Sequence, residues 1–240
     1  MESFEDIAYR IMELLSNSKL PLVFKGALVL KAARDNSSID RLTYDIDCDW
    51  IGDPPSTKEI ENLFNSIMLM AKEEIVFETT REYIVGLRSA GFNIYRNNKF
   101  FTKMDLSISK VISSNKYYYA QAEFTGYSLE NIICDKTLVL STEKIFRRIK
   151  DLVDIYTILL TKNITKEKIL RLAKNKNREF GSFDAFINKK DDLRHAYELL
   201  KGVINKPDFD EVYEMVNKYV VGMTNENKNM VWNHKKQKWI

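Results

Sequence analysis

The stretch RLTYDIDCDW, Arg41 to Trp50, sets carboxylates at Asp45, Asp47 and Asp49, with Ile46, Cys48 and Trp50 between them. Strand side chains alternate between two faces, so the acids share one face and the apolar residues the other. Like charges on one face repel, and a dense carboxylate cluster is costly unless a cation neutralises it. The stretch therefore reads as a strand with one core face and one face that has another purpose. Taken alone, Asp-x-Asp is more often the mark of a solvated strand edge, and Asp49 extends the pattern as a surface residue.

Outward from this strand the chain changes character once. Upstream, residues 3–16 have the apolar spacing of an amphipathic helix, and LPLVFKGALVLKAARDN passes from an apolar stretch through Gly26 into a second helix. Downstream, GDPPS is a turn, and Ser56 or Thr57 caps a helix ending near Glu74. IVFETT, EYIVGLR, GFNIYR, FFTKMDLSIS and KYYYAQAEF then read as successive strands, with turns at RSAG and RNNK. From Ser128 the period is helical: SLENIICDKTLVL, STEKIFRRIKDLVDIYTILL, TKEKILRLAKN and the stretches 190–202 and 208–220. The tail NENKNMVWNHKKQKWI has no clear period. The layout is α+β: residues 1–127 form a mixed sheet with flanking helices, and residues 128–240 a helical bundle.

The composition narrows the class. The 240 residues are 45% hydrophobic, enough for a packed core. No run is long enough to span a membrane, and the acidic, amphipathic N-terminus lacks the pattern of a signal peptide. Two cysteines and two histidines make neither a disulfide framework nor a zinc pattern, so a reduced, cytoplasmic setting is expected. The net charge of +3 hides an acidic half and a basic half: residues 1–135 hold 15 Lys/Arg against 20 Asp/Glu, residues 136–240 hold 22 against 14. That suits a cation-binding face beside a polyanion-binding face, and equally two unlike solvated surfaces.

Asp105 is the candidate third acid. In KMDLSIS it alternates with Met104 and Leu106, so it points away from the apolar side of its strand. A carboxylate pair on one strand and one on a neighbour would supply oxygen ligands to Mg²⁺, with Mn²⁺ as a substitute. Gly26 precedes a helix, where free N–H groups and the helix dipole favour a phosphate, and Lys25 adds a cation. A tight strand-to-helix turn is the plainer account of that glycine. Lys136 lies within the apolar stripe Leu129, Ile132, Ile133, Leu140, so it either takes an anionic partner, a phosphate or a neighbouring Asp, or snorkels at the edge of the stripe.

In FRRIKDLVDIY the cations precede the acids by four, the less favourable order on a helix, so helix stabilisation explains Asp151 and Asp154 poorly. The basic stretch Lys162–Arg178 reads as a nucleic-acid track or as a solvated helix face.

Together these motifs resemble the AbiEii/AbiGii abortive-infection toxins, a group within the nucleotidyltransferase superfamily of polymerase-beta-like fold. The family pattern is Lys-Gly-Gly before a helix, Arg-x-Ser/Thr-x-Asp-hydrophobic-Asp, a Lys-x-Asp strand, a lysine-bearing helix and an Arg/Lys-Asp-x-x-Asp helix. Lys25 and Gly26 match, and Ala27 replaces the second Gly or Ser. Arg41, Thr43, Asp45, Asp47, Lys103, Asp105, Lys136, Lys150, Asp151 and Asp154 match in order, over roughly residues 22–160.

The resemblance implies a nucleotidyltransferase that moves an NMP from an NTP to an acceptor hydroxyl, with RNA, such as a tRNA 3′ end, as acceptor. It implies a toxin restrained by an antitoxin. Asp45, Asp47 and Asp105 would hold the metal and, with Lys136 and Asp154, carry the chemistry. Lys25, Gly26, Ala27, Lys136, Arg148 and Asp151 would bind the nucleotide, the helical half completing the site. A catalytically silent nucleic-acid- or protein-binding relative and a kinase-like phosphotransferase are the alternatives.

Overall fold

The computed structural model describes residues 2–34, 38–83, 89–109 and 113–240. In chain order the elements are α1 (Phe4–Asn17), β1 (Leu22–Lys25), α2 (Gly26–Ala33), β2 (Asp40–Arg41), β3 (Asp45–Ile51), α3 (Thr57–Met70), β4 (Ile75–Arg81), β5 (Ser89–Arg96), β6 (Lys99–Ser109), β7 (Ser114–Tyr119) and β8 (Ala122–Tyr127). Then follow α4 (Leu129–Leu140), a 3-10 turn (Glu143–Arg147), α5 (Lys150–Thr161), β9 (Ile164–Thr165), α6 (Lys166–Asn175), α7 (Asp184–Asn188), α8 (Lys190–Glu198), β10 (Val203–Ile204), α9 (Phe209–Thr224), β11 (Val231–Asn233) and β12 (Lys238–Trp239).

These elements form two compact units. One is residues 1–32 with 43–128; the other is 33–42 with 129–240. The segment 33–42 thus leaves the first half of the sequence and joins the second unit, where β2 pairs with β10. A single cut at 127/128 contains no such exchange.

In the first unit the strand order is β4-β5-β6-β3-β1-β8-β7. β3 runs parallel to β6 and antiparallel to β1, and β1 runs parallel to β8. Ile46, Cys48 and Trp50 of β3 are buried, as are Met104 and Leu106 of β6. Phe64 of α3 packs on Phe77 and Phe92, and Tyr9 of α1 packs on Phe124 and Tyr119. Each large apolar side chain removed from water in this way contributes about 1.5–3 kcal/mol. Capping boxes start both helices, Ser3 with Asp6 on α1 and Ser56 with Glu59 on α3.

Several elements differ from the sequence reading. KYYYAQAEF is two strands, because Ala120 and Gln121 both take positive φ and make a two-residue hairpin turn between Tyr119 and Ala122. Neither residue is a turn signal. Ser89–Gly91, expected as part of a turn, begin β5. The expected strand EYIVGLR has Glu82 and Tyr83 outside any strand, and its residues 84–88 lie outside the described residues. The expected turn at RNNK is present, with Asn97 and Asn98 at positive φ. α3 stops at Met70, before Glu74.

In the second unit, the single long helix expected from Ser141 to Leu160 is broken. Thr142 caps the 3-10 turn, Arg148 leaves helical geometry, and α5 starts afresh at Lys150. The tail is ordered, and its tryptophans pack on this unit. β11 pairs with β12 and β9, Trp232 is buried and donates to the Leu159 carbonyl at 2.9 Å, and Trp239 stacks on Tyr219. Gly222 is required there, since a Cβ would run into the Trp239 indole. No helix among the described residues is long and apolar enough to cross a membrane.

Candidate active site

The first unit carries the acid strand. β3 and β6 are parallel and in register, with Asp45 opposite Lys103, Asp47 opposite Asp105 and Asp49 opposite Ser107. Registered neighbours share a face, so Asp47 and Asp105 stand side by side on the face away from Cys48 and Leu106. Thr43 donates to Asp45 Oδ1 at 2.5 Å. Asp105 Oδ1 accepts from Arg81 at 2.7 Å.

Gly26, the first residue of α2 directly after β1, approaches this face. Its φ is +80°, and a Cβ placed on it would collide with Asp47 Oδ2. The residue is glycine for both reasons: the left-handed backbone and the approach of its main chain to a carboxylate. Lys25, just before it, is registered with Asp47 and bonded to Asp49. Burial, the largest single influence, would lower the Lys25 amine, but the charge of Asp49, its hydrogen bond and the charge of Asp47 together leave the amine raised.

Asp49 is not the surface residue that the alternation suggested. It is 1% exposed and accepts from Lys25, from Ser109 at 2.6 Å and from Tyr127 at 2.5 Å. A buried carboxylate needs such donors. Alternation revealed its face but not what covers it.

The second unit carries the other motifs. Lys136 on α4 is buried, and its ammonium donates to Asp151 at 2.8 Å and to Asp154 at 2.6 Å, both buried on α5. Arg41 Nε meets Asp154 Oδ1 at 3.0 Å. Arg148, half exposed, has its Nε 2.8 Å from Asp151 Oδ2, but that oxygen lacks hydrogen-bond alignment; Arg148 bonds Oδ1 instead, at 3.3 Å.

Of the two partners open to Lys136 on sequence, phosphate or neighbouring acid, neighbouring acids occupy it in this structure. The i,i+4 surface pairs do not describe the helix, because Asp151 and Asp154 are buried and reach Lys136, Arg41 and Arg148. Burial opposes charge on both Lys136 and Asp154, yet the opposite charges win: the Lys136 amine is raised and the Asp154 carboxyl lowered.

The basic stretch divides. Lys166 is buried against the Gly222 and Asn225 carbonyls, its amine lowered by burial, while Lys168 and Lys176 pair with Glu130 and Asp135. Arg171, Lys174 and Arg178 are exposed.

A family model described as nucleotidyl transferase AbiEii toxin, type IV toxin–antitoxin system, matches residues 10–215. The chain belongs to the AbiEii family. It is a nucleotidyltransferase of toxin type, with a nucleotide as substrate and an antitoxin as counterpart. No curated protein matches the chain. Among solved structures, an antigenic nucleotidyltransferase-like protein from Paracoccidioides brasiliensis aligns with 80% of this chain and 91% of its own, at 13% identity and a TM-score of 0.42. A likeness that distant bears no weight here.

For the AbiEii chain, sequence reasoning missed Arg81 and Gly91 beside the acids and the burial of Asp49. Pairing across strands decides all three, and no local motif carries it.

Proposed function

We propose that this AbiEii chain transfers an NMP from an NTP to an RNA hydroxyl, with a tRNA 3′ end as the favoured acceptor, and that the reaction depends on a divalent cation. The observation that carries this is the registered pair Asp47 and Asp105, with Asp45 two residues along and the Gly26 backbone against Asp47. The donor chemistry fits a hard cation, since the candidate ligands are carboxylates alone. Among the described residues no three acidic, His or Cys side chains are gathered to enclose one. Asp105 would have to exchange Arg81 for the ion.

Asp45, Asp47 and Asp105 would hold Mg²⁺ or Mn²⁺. When bound, the ion would favour ionisation of the acceptor hydroxyl and offset charge on the triphosphate. The chain's own part is positioning. Gly26 and Ala27 open α2, whose N-terminus suits a phosphate. Asp49 fixes Lys25 beside the acids. Arg148, half exposed, is the residue of the second cluster suited to a triphosphate. Asp151 and Asp154 hold Lys136 charged. Attack by the acceptor oxygen on the α-phosphorus forms one P–O bond as the bond to pyrophosphate breaks, and the hydroxyl proton passes to Asp105 or to solvent.

The test is incubation with each NTP labelled at the α- or γ-phosphate, Mg²⁺ and total RNA. Transfer of α-label to RNA supports the proposal. Transfer of γ-label indicates a kinase-like reaction, and RNA retention without transfer a silent binding protein.

A further inference from the structure

One row of the first unit's sheet runs across five strands: Arg81 on β4, Gly91 on β5, Asp105 on β6, Asp47 on β3 and Lys25 on β1, each registered with the next. Its charges read cation, gap, anion, anion, cation. Arg81 is in this row because β4 bulges. Thr79 pairs with Phe92, but Arg81, not Thr80, pairs with Gly91. A bulge inserts one residue and re-aims the side chains beyond it. Without it, the alternation of β4 would send Arg81 to the other face, with buried Ala90.

The gap at Gly91 is what the guanidinium crosses. A Cβ on Gly91 would meet Thr80 Oγ1 first, at 3.1 Å, and would lie in ordinary contact with Arg81 Cβ at 3.5 Å and Cζ at 3.6 Å, so the Arg81 side chain lies along the glycine. It then donates to Asp105 at 2.7 Å and to the Ala90 carbonyl at 3.2 Å. Bulge and glycine together deliver a tethered cation to one of the acids.

We infer that Arg81 is an intramolecular counter-cation of Asp105 that a divalent cation displaces, so that Arg81 sets how tightly the acid row takes its metal. This rests on the cation site of the proposed function. Both partners are about half exposed, 47% for Arg81 and 52% for Asp105. Exposed pairs are weak, so displacement costs a few-fold in affinity rather than forbidding binding. The Ala90 carbonyl remains a partner for the guanidinium once Asp105 is given up.

The test measures Mn²⁺ binding to the full chain without nucleotide, by the electron paramagnetic resonance of free Mn²⁺. Arg81→Gln is expected to bind Mn²⁺ about two- to fivefold more tightly than the parent. In an Asp105→Asn background the same substitution is expected to change nothing, which separates pairing from the mere loss of a nearby charge. Gly91→Val, which conserves charge but fills the guanidinium's path, is expected to tighten binding as well; if it does not fold, the Arg81 and Asp105 variants decide alone.

Unchanged or weaker binding in Arg81→Gln, or full tightening that persists with Asp105→Asn, overturns the inference while leaving the cation site intact. A parent chain whose Mn²⁺ binding ignores Asp45→Asn and Asp47→Asn overturns the cation site, and the inference with it.

Discussion

Asp47 and Asp105 hold the same register position on adjacent parallel strands, with the Gly26 backbone against the Asp47 carboxylate. Gly26→Ala therefore meets two obstacles. The left-handed backbone costs an L-residue about 1–2 kcal/mol, and the new methyl displaces Asp47. Expected are a lower midpoint in urea unfolding and a loss of α-label transfer larger than the destabilisation explains. Full transfer by a folded variant would separate Asp47 from the chemistry.

Lys136 neutralises two buried acids. Removing one partner of a buried ionic cluster leaves the others uncompensated, typically at about 3–5 kcal/mol. Lys136→Met is expected to lose that much in urea unfolding. A loss below about 1 kcal/mol would mean that Arg41 and Arg148 suffice for Asp154 and Asp151.

The same cluster fixes a pH dependence. The Asp154 carboxyl is lowered below its ordinary 3.8, so its contribution is present above that pH and is lost as pH falls through the folded value. The Lys136 amine is raised above 10.5, so its contribution is present below that pH and is lost as pH rises through the folded value. The stability gap between the parent and Asp154→Asn should be largest between those limits and shrink on acidification below about pH 4. A gap constant down to pH 2 would contradict the lowered carboxyl.

Trp232 anchors the C-terminal hairpin by burying its ring and bonding the Leu159 carbonyl. Trp232→Ala is expected to cost about 3–5 kcal/mol, measured by urea unfolding. A change under about 1 kcal/mol would show that the hairpin packs without it.

The legible parts of the sequence were those where one strand or helix carries its own evidence. Alternation in RLTYDIDCDW gave the acid face, and spacing on α4 placed Lys136 in an apolar stripe that favoured an anion. What stayed hidden depends on partners distant in the chain. Asp49 looked exposed because nothing local announces Tyr127 and Ser109. Arg81 fell between the expected strands IVFETT and EYIVGLR, and the bulge that places it beside Gly91 leaves no residue signature. The segment 33–42 joins the second unit through β2 and β10, two-residue strands too short to show a period.

The central claim is that Asp45, Asp47 and Asp105 carry nucleotidyl transfer. It is tested most directly by α-label transfer from NTP to RNA with Asp45→Asn, Asp47→Asn and Asp105→Asn beside the parent, each shown to be folded by its melting curve. The account predicts loss of at least about a hundredfold in each variant, the scale on which transition-state charge stabilisation operates. Transfer at the parent rate by any of the three would contradict it.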